Sequence, residues 1–406
     1  MKFTDIIDIS KGYENCEPKL DVLGNIPEFS VLKTTKQNTE WHQEGDAWTH
    51  TRMVVEQMMK LMTPDVIKQH YPEYRFMMLA AALCHDLGKA TTTKWDEEKK
   101  NWGCKRHGQE GARIIRKLFQ EDNFDLREQV CYIARNHMTL HHVFDKPERT
   151  DRAVLKLCHG FWVGLEEMRY MKIADSLGSI NHLDTPEFVA DFDKRIAAVA
   201  EKYGNPSWEN PCFKSAWHRL EYFSKTDVYV TPDDVVFEDD KDYIPMDVYM
   251  MVGIPGSGKD WWIEHELNET VYGQTCEILS RDLIRAEIGL KGEKPQGNKK
   301  QEEEVTRIFD ERMKKCFAGH RSFVINNTNL RSMYRKKFIT ECLKHHARIY
   351  YVYCEAPSLL INKKRREGMM PPEVIDRMWK DFEFPDAASE YYDVIFNVQR
   401  DLAQVG

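Results

Sequence analysis

The sequence predicts two domains of different class, an all-α domain followed by an α/β domain built on a parallel sheet. Three observations carry this. A chain of 406 residues is long enough for two domains at roughly 100–200 residues each. In the first half, apolar residues recur at helical spacing over 48–62 (WTHTRMVVEQMMKLM) and 76–87 (FMMLAAALCHDL), and again over about 108–119, 125–136, 151–174 and 187–203. In the second half, short apolar runs at 248–252 (VYMMV), 322–326 (SFVIN), 347–353 (ARIYYVY) and 393–398 (DVIFNV) alternate with helical patterns. Strands that alternate with helices predict a parallel sheet covered on both faces. Between the halves lies TPDDVVFEDDKDYIP, acidic and bounded by prolines. The expected boundaries are therefore 1–230 for the first domain, 231–246 for the linker and 247–406 for the second domain.

Composition narrows the function classes. Hydrophobic residues at 42% and charged residues at 31% suit a globular core in each half. The net charge of −8 gives no overall attraction to nucleic acid, so any such site must be a local basic patch. The first residues lack the basic start and apolar run of a signal peptide, and no stretch reaches the roughly 18 apolar residues of a membrane span. The ten cysteines include no C-x-x-C pair, which argues against a zinc ribbon or disulfide framework. Reduced thiols in a cytoplasm, with no membrane partner, are the expectation.

The first half holds His50, the doublet His85-Asp86, then His107, His137 and Asp175, each in or beside a helical pattern. Imidazole and carboxylate bind divalent transition metals, and a bridging carboxylate holds two of them about 3.5–4 Å apart. Such a pair clamps a phosphate and lowers the pKa of water. A lone histidine on a helix is more often structural, so the weight rests on the joint pattern. The doublet sits in ALCHDLGKATT, where Gly88-Lys89 mark a helix end with a cation ready for a phosphate.

The segments EGDAWTHT (44–51), LCHDLGK (83–89), RHGQEGAR (106–113), RNHM (135–138) and ADSLG (174–178) resemble the HD phosphohydrolase superfamily, most of all the HD domains attached to tRNA nucleotidyltransferases. The resemblance covers roughly 40–185. It implies metal ligands at His50, His85, Asp86 and Asp175, and a second metal on Asp86, His107 and His137. The pair would be Mn, Ni, Co, Fe or Zn, since mixed His/Asp ligands suit all of these. Lys89 would contact the scissile phosphate, with His141 and His142 near substrate and Arg52 and Arg135 as further phosphate contacts or solvated surface.

The second half opens with Gly253, Ile254, Pro255, Gly256, Ser257, Gly258, Lys259 and Asp260, after a strand and before a helix. Glycines let backbone N–H groups turn inward around a phosphate, and Lys259 reaches the β- and γ-phosphates of a nucleoside triphosphate with Mg2+. Asp260 stands where Ser or Thr usually binds that ion. Its carboxylate either binds Mg2+, directly or through water, or repels the triphosphate. In ILSRDLIR, Asp282 and Arg285 share one side of a first helical turn. They form either a general base with a phosphate contact or a surface ion pair. VINNTNL ends a strand with polar residues at its carboxyl end, where open α/β sheets bind ligands. INKKRREGMMPPEVIDRM is a basic candidate lid over the transferring phosphoryl group.

These features resemble the kinase domain of phage-type polynucleotide 5′-kinases over about 247–400. The resemblance implies Lys259 on the phosphates, Asp282 as base on the 5′-OH, and Arg285 beside that end. It implies Arg365, less surely Arg366, as the lid arginine, and Thr328 and Asn329 on the polynucleotide. The family carries Asp-Thr-Asn where this chain has Asn327-Thr328-Asn329, so Asp260 is a candidate replacement for the missing carboxylate. Arg331, Arg335, Lys336, Lys337 and Lys363 to Arg366 are expected to line a strand groove, with Tyr334 stacking on a terminal base.

The combination implies end healing. A ribonuclease break leaves a 2′,3′-cyclic phosphate and a 5′-OH. The expected enzyme phosphorylates the 5′-OH of RNA or DNA with ATP and clears the 2′- or 3′-phosphate, and a separate ligase then seals. Two alternatives stay open: an HD nucleotidase fused to a small-molecule kinase, and a nucleotide-gated RNA-binding sensor with degenerate sites.

Overall fold

The computed structural model describes residues 1–141, 147–157, 163–182, 185–202, 213, 216–224, 246–267, 270–271, 274–290, 299–386, 390–391 and 393–399. Packing divides the chain into two compact units, Met1–Cys212 and Phe213–Gly406. The helix Ala216–Ser224 belongs to the second unit, where Arg219 Nη2 donates to the Tyr391 carbonyl at 2.9 Å. Of the expected linker, residues 231–245 lie outside the described residues, as does His142.

The first unit is helical. Its site-bearing helices are α1 (Ala47–Leu61), α2 (Tyr74–Cys84), α3 (His107–Leu118), α4 (Phe124–Asn136) and α5 (Leu165–Leu177). Every residue of α2 is buried, as befits a helix apolar all round, and α1, α4 and α5 pack on it. Asp46 caps α1 by accepting from Thr49 N and Thr49 Oγ1, both at 2.9 Å, which sets His50 in the first turn facing inward. The continuous pattern expected over 151–174 resolves into Pro147–Leu157 and α5. The second of these starts afresh at extended Gly164, whose N–H is taken by the Glu167 side chain at 2.8 Å.

The second unit is α/β. Strands β1 (Asp247–Val252), β2 (Glu277–Leu279), β3 (Phe323–Ile325), β4 (Arg348–Glu355) and β5 (Asp393–Val398) form one parallel sheet in the order β5-β4-β1-β3-β2. Met250 pairs with Tyr351 on one side and Ile325 on the other, so β1 is central. β1 is almost wholly buried, which explains its unbroken apolar run. The helices around it are α6 (Lys259–His265), α7 (Arg281–Glu287), α8 (Lys299–Ala318), α9 (Ser332–Lys344) and α10 (Leu359–Arg365). Among the described residues, no helix is long and apolar enough to cross a membrane.

Candidate functional sites

Four helices and the turn after α2 converge on Asp86. The turn places His85 and Asp86 side by side at the end of the buried helix. Asp86 Oδ2 lies 3.2 Å from His85 Nε2 and 3.5 Å from His50 Nε2. Asp86 Oδ1 lies 3.4 Å from His107 Nε2 and 3.8 Å from His137 Nε2. Asp175 completes the first group, with Oδ1 3.0 Å from His50 Nε2 and 3.9 Å from His85 Nε2. His50, His85, Asp86, His137 and Asp175 are all at most 5% exposed, and His107 is 6%.

The donor set fits divalent cations. His85, His107 and His137 each hydrogen-bond through Nδ1 to the carbonyl three residues earlier, at 2.8, 2.8 and 2.7 Å. A proton on each Nδ1 leaves the lone pair on Nε2, and those lone pairs converge: His107 and His137 bring theirs to 3.0 Å. Both Asp86 oxygens are buried, and Oδ2 faces the Lys89 ammonium at 2.7 Å. Burial also pushes the His107 and His137 imidazoles below their usual pKa, to the neutral form a metal requires. His50-His85-Asp175 and Asp86-His107-His137 are thus two adjacent buried ligand groups, and Asp86 faces both, with Oδ1 toward His107 and His137 and Oδ2 toward His85 and His50. All six residues expected as ligands are brought together.

A second layer surrounds these ligands, and of its members the sequence singled out Lys89 and His141. Glu44 Oε1 lies 2.8 Å from His42 Nδ1 and 3.1 Å from His50 Nδ1, and Oε2 accepts the Ile180 N–H at 2.9 Å. Burial opposes ionisation of Glu44, but the two imidazoles and that N–H outweigh it and hold its pKa well down. Lys89 Nζ donates to Gln37 Oε1 at 2.7 Å. His141 Nε2 lies 2.9 Å from Asp175 Oδ2, and Lys172 bridges His141 to Ser176 Oγ. Gln37 and His42 carry no sequence signal; Glu44 opens the quoted EGDAWTHT segment.

In the second unit, β1 runs into Gly253–Gly258 and then α6. Gly256 (φ 76°) and Gly258 (φ 96°) adopt the left-handed backbone that wraps the loop, and a Cβ on Gly256 would meet the Asn362 carbonyl at 2.9 Å. Lys259 Nζ folds back onto the Gly253 and Ile254 carbonyls at 3.1 and 3.0 Å. Its burial lowers its pKa. Ser257 Oγ is buried without a partner. Asn362 Nδ2 donates to the Pro255 carbonyl at 3.0 Å, and Arg365 Nη1 to the Gly256 carbonyl at 2.9 Å, so the candidate lid arginine rests on the loop. Asp260 Oδ1 accepts from Asn326 Nδ2 at 2.9 Å, and Arg366 Nη2 lies 3.8 Å from Oδ2.

Asp282, half-exposed, meets Arg285 Nη1 at 2.5 Å, and Arg285 is clamped by Glu302 of α8. The Thr328 carbonyl accepts the Gly253 N–H at 3.2 Å. Asn329, at φ 47°, turns its amide inward to the Met251 carbonyl at 2.7 Å. Its side chain fastens β1 to the end of β3. The expected basic groove is corrected in part. Arg335 is fully buried, bonded to Glu390 and to the Asn329 and Leu330 carbonyls. Arg331 pairs with Asp381 at 2.8 Å, Lys337 with Asp310 at 3.3 Å and Lys363 with Asp376 at 2.7 Å. Tyr334 stands 57% exposed, as stacking requires.

Fold and sites together support an enzyme, with a helical domain that carries buried candidate metal ligands followed by a P-loop, kinase-like domain. Comparison with known families agrees. Residues 48–177 match the HD domain family, and residues 248–385 match a family described as an AAA domain. The chain is similar to the multifunctional CCA proteins of Shewanella frigidimarina (32% identity over 153 residues, 33% of each chain) and Psychromonas ingrahamii (34% over 119 residues, 28% of this chain and 25% of the relative). That of Vibrio parahaemolyticus is 28% identical over 170 residues, 40% of this chain and 37% of the relative. The chain thus spans between a quarter and two fifths of the length of these curated relatives.

Proposed function

We propose that this chain is a bifunctional RNA end-healing enzyme, phosphorylating 5′-OH ends with ATP and removing 2′,3′-cyclic, 2′- or 3′-phosphate from 3′ ends. The observation that carries it is the presence in one chain of Asp86, set between two buried ligand groups, and of Lys259 in a wrapped phosphate loop. Divalent metals at the first centre supply Lewis acidity and lower the pKa of water. There, Asp86, Asp175 and the four histidines would hold the metals, and Lys89 offsets phosphate charge. In the second unit, Lys259 leaves its two loop carbonyls for the β- and γ-phosphates. Asp282 accepts the proton of the 5′-OH, and Arg365, already on the loop, neutralises the transferring phosphoryl group. Thr328 lies beside the acceptor strand. The likeness to HD domains attached to tRNA nucleotidyltransferases, and to multifunctional CCA proteins, supports RNA over DNA.

The test is a short RNA with a 5′-OH and a 2′,3′-cyclic phosphate, incubated with ATP and Mn2+, Ni2+ or Mg2+. Lys259→Ala is expected to abolish only 5′ phosphorylation, and Asp86→Ala only 3′ healing. Unchanged ends in every metal refute the proposal. One observation favours a second reading, a small-nucleotide substrate: Arg335 is buried and Arg331, Lys337 and Lys363 are paired, which shrinks the basic surface available to a strand. Phosphorylation of nucleosides but of no oligonucleotide decides for it.

A further inference from the structure

The segment just before the HD-matched region walls one side of the metal-ligand cluster. It is tied down at several points. Lys36 bridges to Asp46, the Ala47 N–H donates to the Thr35 carbonyl at 3.1 Å, and the Gln43 N–H to the Ile180 carbonyl at 2.9 Å. Thr39 N donates to Asn101 Oδ1 at 3.2 Å. Thus fixed, the segment brings Gln37 and His42 onto Lys89.

The Lys89 ammonium has three N–H bonds and three neighbours from its own chain. Asp86 Oδ2 and Gln37 Oε1 each lie at 2.7 Å, and His42 Nε2 at 3.4 Å. The first two are short, charge-assisted contacts; the third is long and weak. Because Oε1 faces the ammonium, the Gln37 amide is oriented, and its Nε2 is left buried without an acceptor. Gln37 is 5% exposed. An orphaned donor in this position costs free energy until an acceptor arrives. The His42 side chain, 18% exposed, is the solvent-side member of the three.

We propose that Gln37, His42 and Lys89 form the phosphate-oxygen subsite of this centre. A nonbridging phosphate oxygen displaces His42 Nε2 from Lys89 and takes the third ammonium N–H together with the Gln37 Nε2–H. Gln37 therefore binds substrate, and His42 holds the position closed until substrate arrives. This deepens the reading of the first unit as a phosphohydrolase and rests on it.

The experiment uses the full chain loaded with Mn2+ and measures three quantities. These are metal content, the affinity for inorganic phosphate by calorimetry, and KM for removal of a 3′-phosphate from an RNA. Gln37→Glu keeps an acceptor for Lys89 and removes the donor. It is expected to retain metal and to weaken phosphate binding and raise KM by about tenfold or more. Gln37→Leu is expected to weaken phosphate binding in the same direction, which guards against misfolding of either variant. His42→Ala, lacking the competitor, is expected to bind phosphate as tightly as the parent or more tightly. Loss of metal in Gln37→Glu, parental phosphate affinity in both Gln37 variants, or weakened binding in His42→Ala overturns the proposal. If the parent binds phosphate in a Gln37-dependent way but heals no 3′ end, the functional reading fails and the subsite stands.

Discussion

The guanidinium of Arg285 lies edge-on against Glu302, with Nε giving one hydrogen bond to Oε1 at 2.8 Å and Nη2 one to Oε2 at 2.9 Å. Nη1 turns the other way, to Asp282. Arg285 is 7% exposed while Asp282 is half-exposed, so the buried cation fixes the carboxylate at the site's mouth. Glu302→Gln is expected to lower kcat for 5′ phosphorylation by about tenfold with little change in KM for ATP. Steady-state kinetics with an oligonucleotide acceptor checks this. The surface-accessible pair itself contributes under about 1 kcal/mol of stability.

Replacing the Asp86 carboxylate tests the first centre. Asp86→Asn is expected to strip most of the metal, because its two oxygens face the histidines of both ligand groups. Elemental analysis after gel filtration checks the loss. The nucleotide-dependent activity of the second unit is expected to persist.

Asp260 tests the departure in the phosphate loop. If its carboxylate, held by Asn326, helps to retain Mg2+, then Asp260→Ala raises the Mg2+ concentration for half-maximal kinase activity by about tenfold. Asp260→Ser, which restores the usual hydroxyl, is expected to recover part of that loss. Parental Mg2+ titrations in both variants exclude the role.

Glu128 gives a pH signature. Its buried carboxylate is gripped by Arg116 through Nε and Nη2 and by Arg127. Burial pushes its pKa up, but the guanidinium groups of Arg116 and Arg127 outweigh that and hold the folded carboxyl below its usual range. The contribution is therefore fully present above the unfolded pKa of about 4.3 and is lost as pH falls through the folded value. Glu128→Gln is expected to cost about 3 kcal/mol near neutral pH, with the gap to the parent narrowing in acid. Thermal melts of the two proteins across that range measure it.

Both fold classes were legible because their signals are local. The buried helix Tyr74–Cys84 and the buried strand Asp247–Val252 show in apolar runs, and the six ligands lie in or beside helical segments. What stayed hidden depends on tertiary placement. Gln37 and His42 come from a segment without periodicity and reach Lys89 only through folding. The edge strand Glu277–Leu279 is three residues long, too short for an alternation signal. Arg335 sits in a basic run that predicts a surface position, yet it lies in the helical stripe Arg335, Ile339 and Cys342, the buried face of its helix. The i, i+4, i+7 spacing of that stripe outweighs the local charge in setting its place.

His85, His107 and His137 each hang from a carbonyl of their own chain three residues back, whereas His50 leans on Glu44. The first three carry their aiming device in a stretch of four residues, so drift elsewhere in the domain leaves their direction intact. His50 has no such insurance. Its aim depends on a side chain that lies before the first turn of its helix, and the two must vary together. Sequence variation is expected to show this asymmetry: freedom around three of the imidazoles, and a coupled pair at the fourth.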